Sequence, residues 1–468
     1  MVDFLGIIVA LAPFLVAVVA LLILRRSALW AGSAALGAAI AGAVLWPGLD
    51  GMRVPGALWD GVGTSGRVLY VLFGGLLLYN FLAAGGAVAA VSEYLGRLEP
   101  RKEILAAGIV VGVAPFFESV TGFGVAVVIS APILLAAGFS PVKAAVLASW
   151  GQCAVPWGAL GVGTVIGADL AGMGLRELST TSAYLNLPLY PIYGLSAVAL
   201  AGGIDSVRKY GLEAIALGLA AGVGTIFTSL FLAPELSGAI GGLCATALFL
   251  ARRRRNASGI PVRAVLPYAV LLAILAITTG VSAVSGFLEA LGPVFTGPGM
   301  PLLLAAGFTV VFLRISDVGE AVRGTFTQWL PTAGAVLTFV LAGEVVAGGG
   351  AAAVLAESAE SLGGLYPVAS PVLGALGGAL TGSNAASNAL FMSLQVEAAA
   401  GVGISEDFTA AVQNVAGSHA SLLAPQRMVL AATAVGLLGR EGEILRSAIA
   451  PVAVSVGVLA VIGLLLAV

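Results

Sequence analysis

The residues able to do chemistry in this chain lie in apolar surroundings. In the stretch APFFESVTGFGVAVVISAP, residues 114–132, a carboxylate at Glu118 is followed by Ser119 and Thr121, then by Gly122 and Gly124 around Phe123. A carboxylate at membrane depth is costly and by default marks a substrate or ion pathway. Burial favours its neutral form, so Glu118 could carry a proton; ionised, it could pair with a bound cation. The blander reading is a structural glutamate hydrogen-bonded to a broken helix. The glycines beside it let a helix break and turn backbone groups towards a cavity, which lipid alone would forbid.

A second stretch repeats the theme. Gly382, Ser383, Asn384 and Ser387 lie between Thr381 and Asn388, and the hydroxyl and amides of Thr381, Asn384 and Asn388, at i, i+3 and i+7, share one helical face. Such groups beside a half-helix N-terminus suit a carboxylate, because N–H donors and the positive dipole end point at it. Interhelical hydrogen bonding is the alternative use of the same residues. Further on, residues 414–427 contain the chain's one histidine, His419, then Gln426 and Arg427 just after Pro425. His419 could titrate near neutral pH, although a lone histidine is more often a packing residue. Arg427 could hold a substrate carboxylate with two parallel hydrogen bonds, or reach from a helix end to the interface. The partner stretch in the first half, residues 151–161, offers Gln152 as a ligand and Trp157 as a wall. The candidate substrate contacts are therefore Ser119, Thr121, Gly122, Gly124, Gln152, Thr381, Gly382, Ser383, Asn384, Ser387, Asn388, Gln426 and Arg427. Glu118 and His419 are the candidates for ion or proton coupling.

The elements that must position these groups follow from composition. Of 468 residues 59% are hydrophobic and 9% charged, where a soluble domain carries roughly a quarter charged. Apolar runs of about 20 residues recur from end to end, so the fold class is an all-α polytopic membrane protein of about twelve or more spans. The 65 glycines suit tight helix packing and broken, re-entrant helices. A net charge of −2 says nothing about partners. The four arginines at 252–255 directly follow an apolar run, which marks a cytoplasmic anchor rather than a nucleic-acid site. One histidine and two separated cysteines, Cys153 and Cys244, argue against a metal centre and a membrane-embedded metalloenzyme. No cofactor is expected. A channel is a further class, but two interrupted segments favour alternating access over a continuous pore.

Basic residues orient the spans. Arg25 and Arg26 after the first run place that end in the cytoplasm and the N-terminus outside. Residues 93–103, Arg208 and Lys209, the arginine run and residues 440–446 then fall inside, and residues 47–66 and 348–365 outside. The glutamate motif is thus entered from an inner loop and the second motif from an outer one, the opposite orientation that an inverted repeat requires. Gln152 follows Thr121 by 31 residues and Gln413 follows Thr381 by 32, a matching spacing.

Several of these stretches resemble the L-lactate permease family. The likeness is densest in Phe116-Phe117-Glu118-Ser119-Val120-Thr121-Gly122-Phe123-Gly124, in Trp157-Gly158-Ala159-Leu160-Gly161 and in Leu380-Thr381-Gly382-Ser383. It continues through Ser387-Asn388-Ala389-Leu390-Phe391, Ala424-Pro425-Gln426 and residues 434–442, in the same order along most of the chain. The resemblance implies a proton-coupled symporter for L-lactate, D-lactate, glycolate or a similar 2-hydroxy-monocarboxylate in a bacterial or archaeal plasma membrane. A sulfonate or longer carboxylate, with Na⁺ in place of the proton, is the alternative. It also implies scaffold and transport domains with elevator-type movement, and leaves room for a homodimer. On that division residues 1–103, 206–365 and 447–468 are scaffold, while 104–205 and 366–446 are transport regions. Four positions depart from the family's pattern. Asn384 stands where an acid is usual, Ser421 is nearest to where a lysine is usual, Arg427 occupies the place of a small residue, and Gly151 stands where an asparagine is usual. On residue chemistry, Arg427 is expected to reach back to the face formed by residues 383–388 and supply the missing positive charge.

Overall fold

With no water in the hydrocarbon region, a spanning backbone must satisfy its own polar groups, and helices do so internally. The computed structural model follows that rule. It describes residues 4–122, 124–253, 259, 261–285 and 297–466, and every element assigned there is helical. Helices α1 (Phe4–Val18), α2 (Ala28–Leu45) and α3 (Val54–Ala84) come first. A run of shorter pieces follows: α4 (Ala87–Leu98), α5 (Lys102–Gly108), α6 (Ala114–Thr121), α7 (Val125–Ala136), α8 (Pro141–Trp150) and α9 (Gly158–Ala171). A π-turn, Ile109–Val113, joins α5 to α6. Next come α10 (Leu175–Asn186), α11 (Leu189–Gly202), α12 (Ile204–Phe231), α13 (Ser237–Ala251) and α14 (Val262–Ser285). The remainder is α15 (Gly299–Leu313), α16 (Val318–Gly348), α17 (Ala351–Ala359), α18 (Tyr366–Thr381), α19 (Asn384–Gly401), α20 (Glu406–Ser421), α21 (Pro425–Ala434) and α22 (Glu441–Leu466).

Among the described residues nine helical stretches are long and apolar enough to cross a bilayer, or ten if α10 and α11, bent by 41°, count as one. Shorter apolar pieces, including Val125–Ala136 and Leu160–Ala171, lie between them. The sequence expectation of twelve or more spans is reached only by counting such pieces. The apolar stretches 104–137 and 141–168 are each broken midway, at 122–124 and at 151–157. Two expected outer loops are largely helical. Residues 54–66 already belong to α3, whose Asp60 and Arg67 line a polar cleft with Asp169 and Glu344, so charge there did not mark a loop. Residues 351–359 form α17. Arg254, Arg255, Phe123 and the end of the span expected at 264–290 lie outside the described residues.

Segments expected to share a side of the membrane meet. The Asp50 N–H donates to the Gly349 carbonyl at 3.0 Å, joining the two expected outer loops. At the other end Arg253, 3% exposed, pairs with Glu99 and at 2.9 Å with Glu213, while Arg101 reaches Glu99 at 2.8 Å. Burial pushes the Glu99 carboxyl up, but hydrogen bonds from Arg101 and Arg253 more than offset it and hold the group at about 2.

Packing then sets the site. Helix α16 runs along α2 and α3, and α15 against α3 and α14. Helices α12 and α13 pack on α5, α6 and α11. In the second motif α18 and α19 both pack on α20, and α19 also touches α9 and α16.

Candidate functional site

Four helix starts converge on one place, each created by a break that the local sequence dictates. Helix α6 ends because Gly122 takes φ 67° and ψ −162°, and Gly124, at φ 78°, opens α7; L side chains avoid both conformations. The break exposes the first N–H groups of α7, and Gly124 N–H donates to both carboxylate oxygens of Glu118 at 3.2 Å. Glu118 is 1% exposed, so a buried anion sits on a helix N-terminus, where the partial positive charge favours it.

The second break lies at left-handed Gly382, φ 64°, after which Ser383 caps α19 by accepting the Ala386 N–H at 3.4 Å. A side chain at Gly382 would strike Gln426, whose amide donates to the Thr381 carbonyl. Gln426 and Arg427 occupy the first turn of α21, where Pro425 suits N1. Arg427 Nε donates to the Gly382 carbonyl at 3.1 Å and Nη1 pairs with Glu118 Oε1 at 3.3 Å. Its side chain is 13% exposed and turned onto Glu118 and the Gly382 carbonyl. The fourth start is α9, whose first turn holds two successive left-handed residues, Leu160 at φ 55° and Gly161 at φ 82°.

The starts of α9, α19 and α21 line a cavity of about 510 Å³, through Gly158, Gly163, Thr381–Ala386, Gln426 and Arg427, and Glu118 and Gly122 at the end of α6 complete that side. Its other wall is Ser27 at the start of α2, Leu72 of α3, and Pro331, Ala335 and Phe339 of α16. Helix N–H groups, a guanidinium and a carboxylate are groups with the chemistry to hold a small anion beside an internal counter-ion.

A second layer of amides holds the first. Asn414 Oδ1 accepts from Asn384 Nδ2 at 2.7 Å and from Asn388 Nδ2 at 2.9 Å. Asn414 Nδ2 donates to Thr164 and Ser182. Gln413 donates to Ser387 Oγ at 3.1 Å and accepts from Gln395 at 2.9 Å. Ser387 and Asn388, both 0% exposed, thus stand behind the cavity rather than in it.

The remaining candidates scatter. Thr121 Oγ1 is turned back onto the Phe117 carbonyl at 2.6 Å. The Ser119 hydroxyl faces α13 at Gly238 and finds no partner among the described residues. Gln152 is buried in the break after α8 with neither amide atom partnered there. His419 lies deep in α20, its ring nitrogens 2.8 Å from Asn186 Oδ1 and 3.3 Å from Ser455 Oγ, and it does not line the cavity. Asn414, Thr164 and Gly163 were not singled out from sequence. The available signal was two adjacent amides, Gln413 and Asn414, set among the alanines and valines of residues 410–416.

This chain resembles proteins named as permeases. It is 25% identical to an L-lactate permease of Streptococcus iniae over 71% of this chain and 77% of that protein. It is 26% identical to glycolate permease GlcA of Escherichia coli over 85% and 84% of the two chains. These relatives are permeases, transporters rather than enzymes. The YdaH transporter of Alcanivorax borkumensis shares the fold at 18% identity, with a TM-score of 0.50 over 89% of this chain and 88% of that one. Residues 6–291 and 281–468 match the L-lactate permease family model, and the chain belongs to that family.

Proposed function

We propose that this chain is a secondary transporter that carries L-lactate, D-lactate or glycolate with protons across a bacterial inner membrane. The observation that carries the reading is the pairing of Glu118 with Arg427 where four helix N-termini meet. The empty pair is neutral. An arriving carboxylate competes for the same guanidinium and leaves one uncompensated negative charge, which a proton on Glu118 removes. Anion and proton binding therefore favour one another, the reciprocity that coupling requires. The names of the relatives support the substrate class.

The substrate meets the first turn of α19 through Gly382, Ser383 and Asn384, with Gln426 and Arg427 opposite. Ser387 and Asn388 act by supporting that turn. The order of α6, α7, α8 and α9, each pair parted by a break, recurs in α18, α19, α20 and α21, which supports a repeat, and the opposite entry sides expected from the basic residues make it an inverted one. Residues 104–205 and 366–446 are then the moving part against a scaffold that includes α2, α3 and α16. The packing of α12 and α13 on α5, α6 and α11 favours placing residues 204–251 with the moving part.

One observation favours a sodium-coupled reading: the buried, unpartnered Gln152 amide beside the α8–α9 break offers an oxygen to a cation. Uptake of labelled lactate into proteoliposomes under an imposed ΔpH or ΔNa⁺ separates the two. Accumulation driven by ΔpH alone is expected. Accumulation that follows only ΔNa⁺ would remove the proton from the proposal, and no uptake of any 2-hydroxy acid would remove the substrate class.

A further inference from the structure

Asn384 lines the cavity with its side chain almost wholly buried, 4% exposed, and its two polar atoms fare differently. Nδ2 donates to Asn414 at 2.7 Å, while Oδ1 has no partner among the described residues. A chain of donors fixes which atom faces which way. The Thr164 hydroxyl gives its only proton to the Pro156 carbonyl, so it accepts from Asn414 Nδ2, 3.1 Å away. The same Nδ2 donates to Ser182 Oγ at 2.9 Å. Asn414 must therefore present Oδ1 to α19, and Asn384 must answer with its NH₂ group. Flipping the Asn384 amide would set two carbonyl oxygens against each other at hydrogen-bond distance. Gly163 keeps room for this arrangement: a Cβ there would stand 2.5 Å from Asn384 Nδ2.

The result is a rigid, enclosed acceptor without a donor on a residue that lines the cavity, and an unpaired buried carbonyl calls for one. A cation is the wrong answer at this position, because the α19 N-terminus and the Arg427 guanidinium are both positive. We propose that Asn384 Oδ1 accepts a hydrogen bond from the 2-hydroxyl of the substrate and thereby selects 2-hydroxy acids over 2-oxo and unsubstituted acids. This rests on the carboxylate-transport reading above. With the carboxylate on the first N–H groups of α19, a hydroxyl on the adjacent carbon lies beside the side chain of the same turn. A 2-oxo group would bring lone pairs against lone pairs and leave Oδ1 unpaired, the situation that sites built for a hydroxyl reject most strongly.

The test is competition against labelled L-lactate uptake in proteoliposomes by L-lactate, 2-fluoropropionate, pyruvate and propionate. Fluorine nearly matches hydroxyl in size but cannot donate. In the unaltered protein 2-fluoropropionate and pyruvate should compete at least about tenfold more weakly than lactate. In Asn384→Ala the lactate advantage should shrink to within about threefold, while propionate, which uses the carboxylate contacts alone, competes as before. If 2-fluoropropionate or pyruvate matches lactate in the unaltered protein, or Asn384→Ala keeps the preference, the assignment to Asn384 is overturned while carboxylate transport stands. If no carboxylate competes and lactate is not taken up, both fall. If the variant folds poorly, the competition panel on the unaltered protein can still overturn the proposal.

Discussion

Arg427 Nη1 lies 3.3 Å from Glu118 Oε1, and the same guanidinium holds the Gly382 carbonyl through Nε at 3.1 Å. One side chain on α21 thereby ties together the break before α7 and the break before α19. It is the only point at which a charge from the second motif touches the glutamate of the first, among the described residues. Anything that draws Arg427 away must release Glu118.

Arg427 should therefore set anion affinity. Truncating a buried, hydrogen-bonded charge typically costs about 2–5 kcal/mol, roughly tens- to thousands-fold in affinity. Arg427→Ala should raise the apparent substrate constant by that order. Arg427→Lys should recover only part, because a lysine cannot keep both the Gly382 contact and a forked carboxylate contact. Uptake with a near-normal constant in Arg427→Ala would leave the anion to the helix N-termini alone.

Glu118→Gln separates coupling from binding. Glutamine keeps an acceptor for the Gly124 N–H but removes the charge that competes with substrate for Arg427. Counterflow exchange should persist, with substrate bound at least as tightly as before, while ΔpH-driven accumulation disappears. Accumulation that still follows ΔpH would show that the proton travels elsewhere.

The ion cluster at the opposite end from the Asp50–Gly349 contact predicts an acid-sensitive stability. Glu99 is held at about 2 against an ordinary 4.5, so its contribution is complete above about pH 4.5 and is lost as pH falls towards 2. Arg253→Ala leaves the buried carboxylate short of a partner and should cost about 3–5 kcal/mol, seen as a lowered melting temperature of the detergent-solubilised protein. Glu99→Gln should flatten the acid limb in that window. An unchanged acid limb would show that the cluster contributes nothing net.

What sequence could reveal of this site follows from what each residue's type shows by itself. Glu118 stands out because a charge is rare inside an apolar run, and Gly122, Gly124 and Gly382 because they lie beside polar residues there. The contact of Glu118 with Arg427 spans 309 positions, and no periodicity encodes which helix end meets which. Arg427 was expected at the face of residues 383–388, and it reaches the adjacent Gly382 carbonyl. Ser387 and Asn388 carry the same polarity as Asn384, yet they stand behind the cavity, because residues 384–393 of α19 are buried on all sides and polarity no longer tells its faces apart. Charge misled at residues 54–66, where α3 carries Asp60 and Arg67 into a cleft instead of a loop.

That cleft supplies a test of movement. Arg67 Nη2 of α3 pairs with Asp169 Oδ2 of α9 at 2.7 Å, and Thr64 Oγ1 of α3 touches the same oxygen at 3.2 Å. Both α3 residues belong to the proposed scaffold, while Asp169 closes the half-helix whose other end faces the cavity. If α9 slides against α3 during transport, these contacts break and re-form in every cycle. At 51% and 35% side-chain exposure the ion pair is a weak tie, of about 1 kcal/mol or less, so breaking it should not limit the rate. A covalent tie at the same place should. With Cys153 and Cys244 replaced by alanine, the pair Thr64→Cys and Asp169→Cys bridged by a short bifunctional thiol reagent should stop uptake, and each single variant treated alike should not. Reduction of a cleavable reagent should restore transport. Full uptake in the bridged protein would mean that α3 and α9 travel together, and the moving boundary would then have to lie between α3 and some other helix.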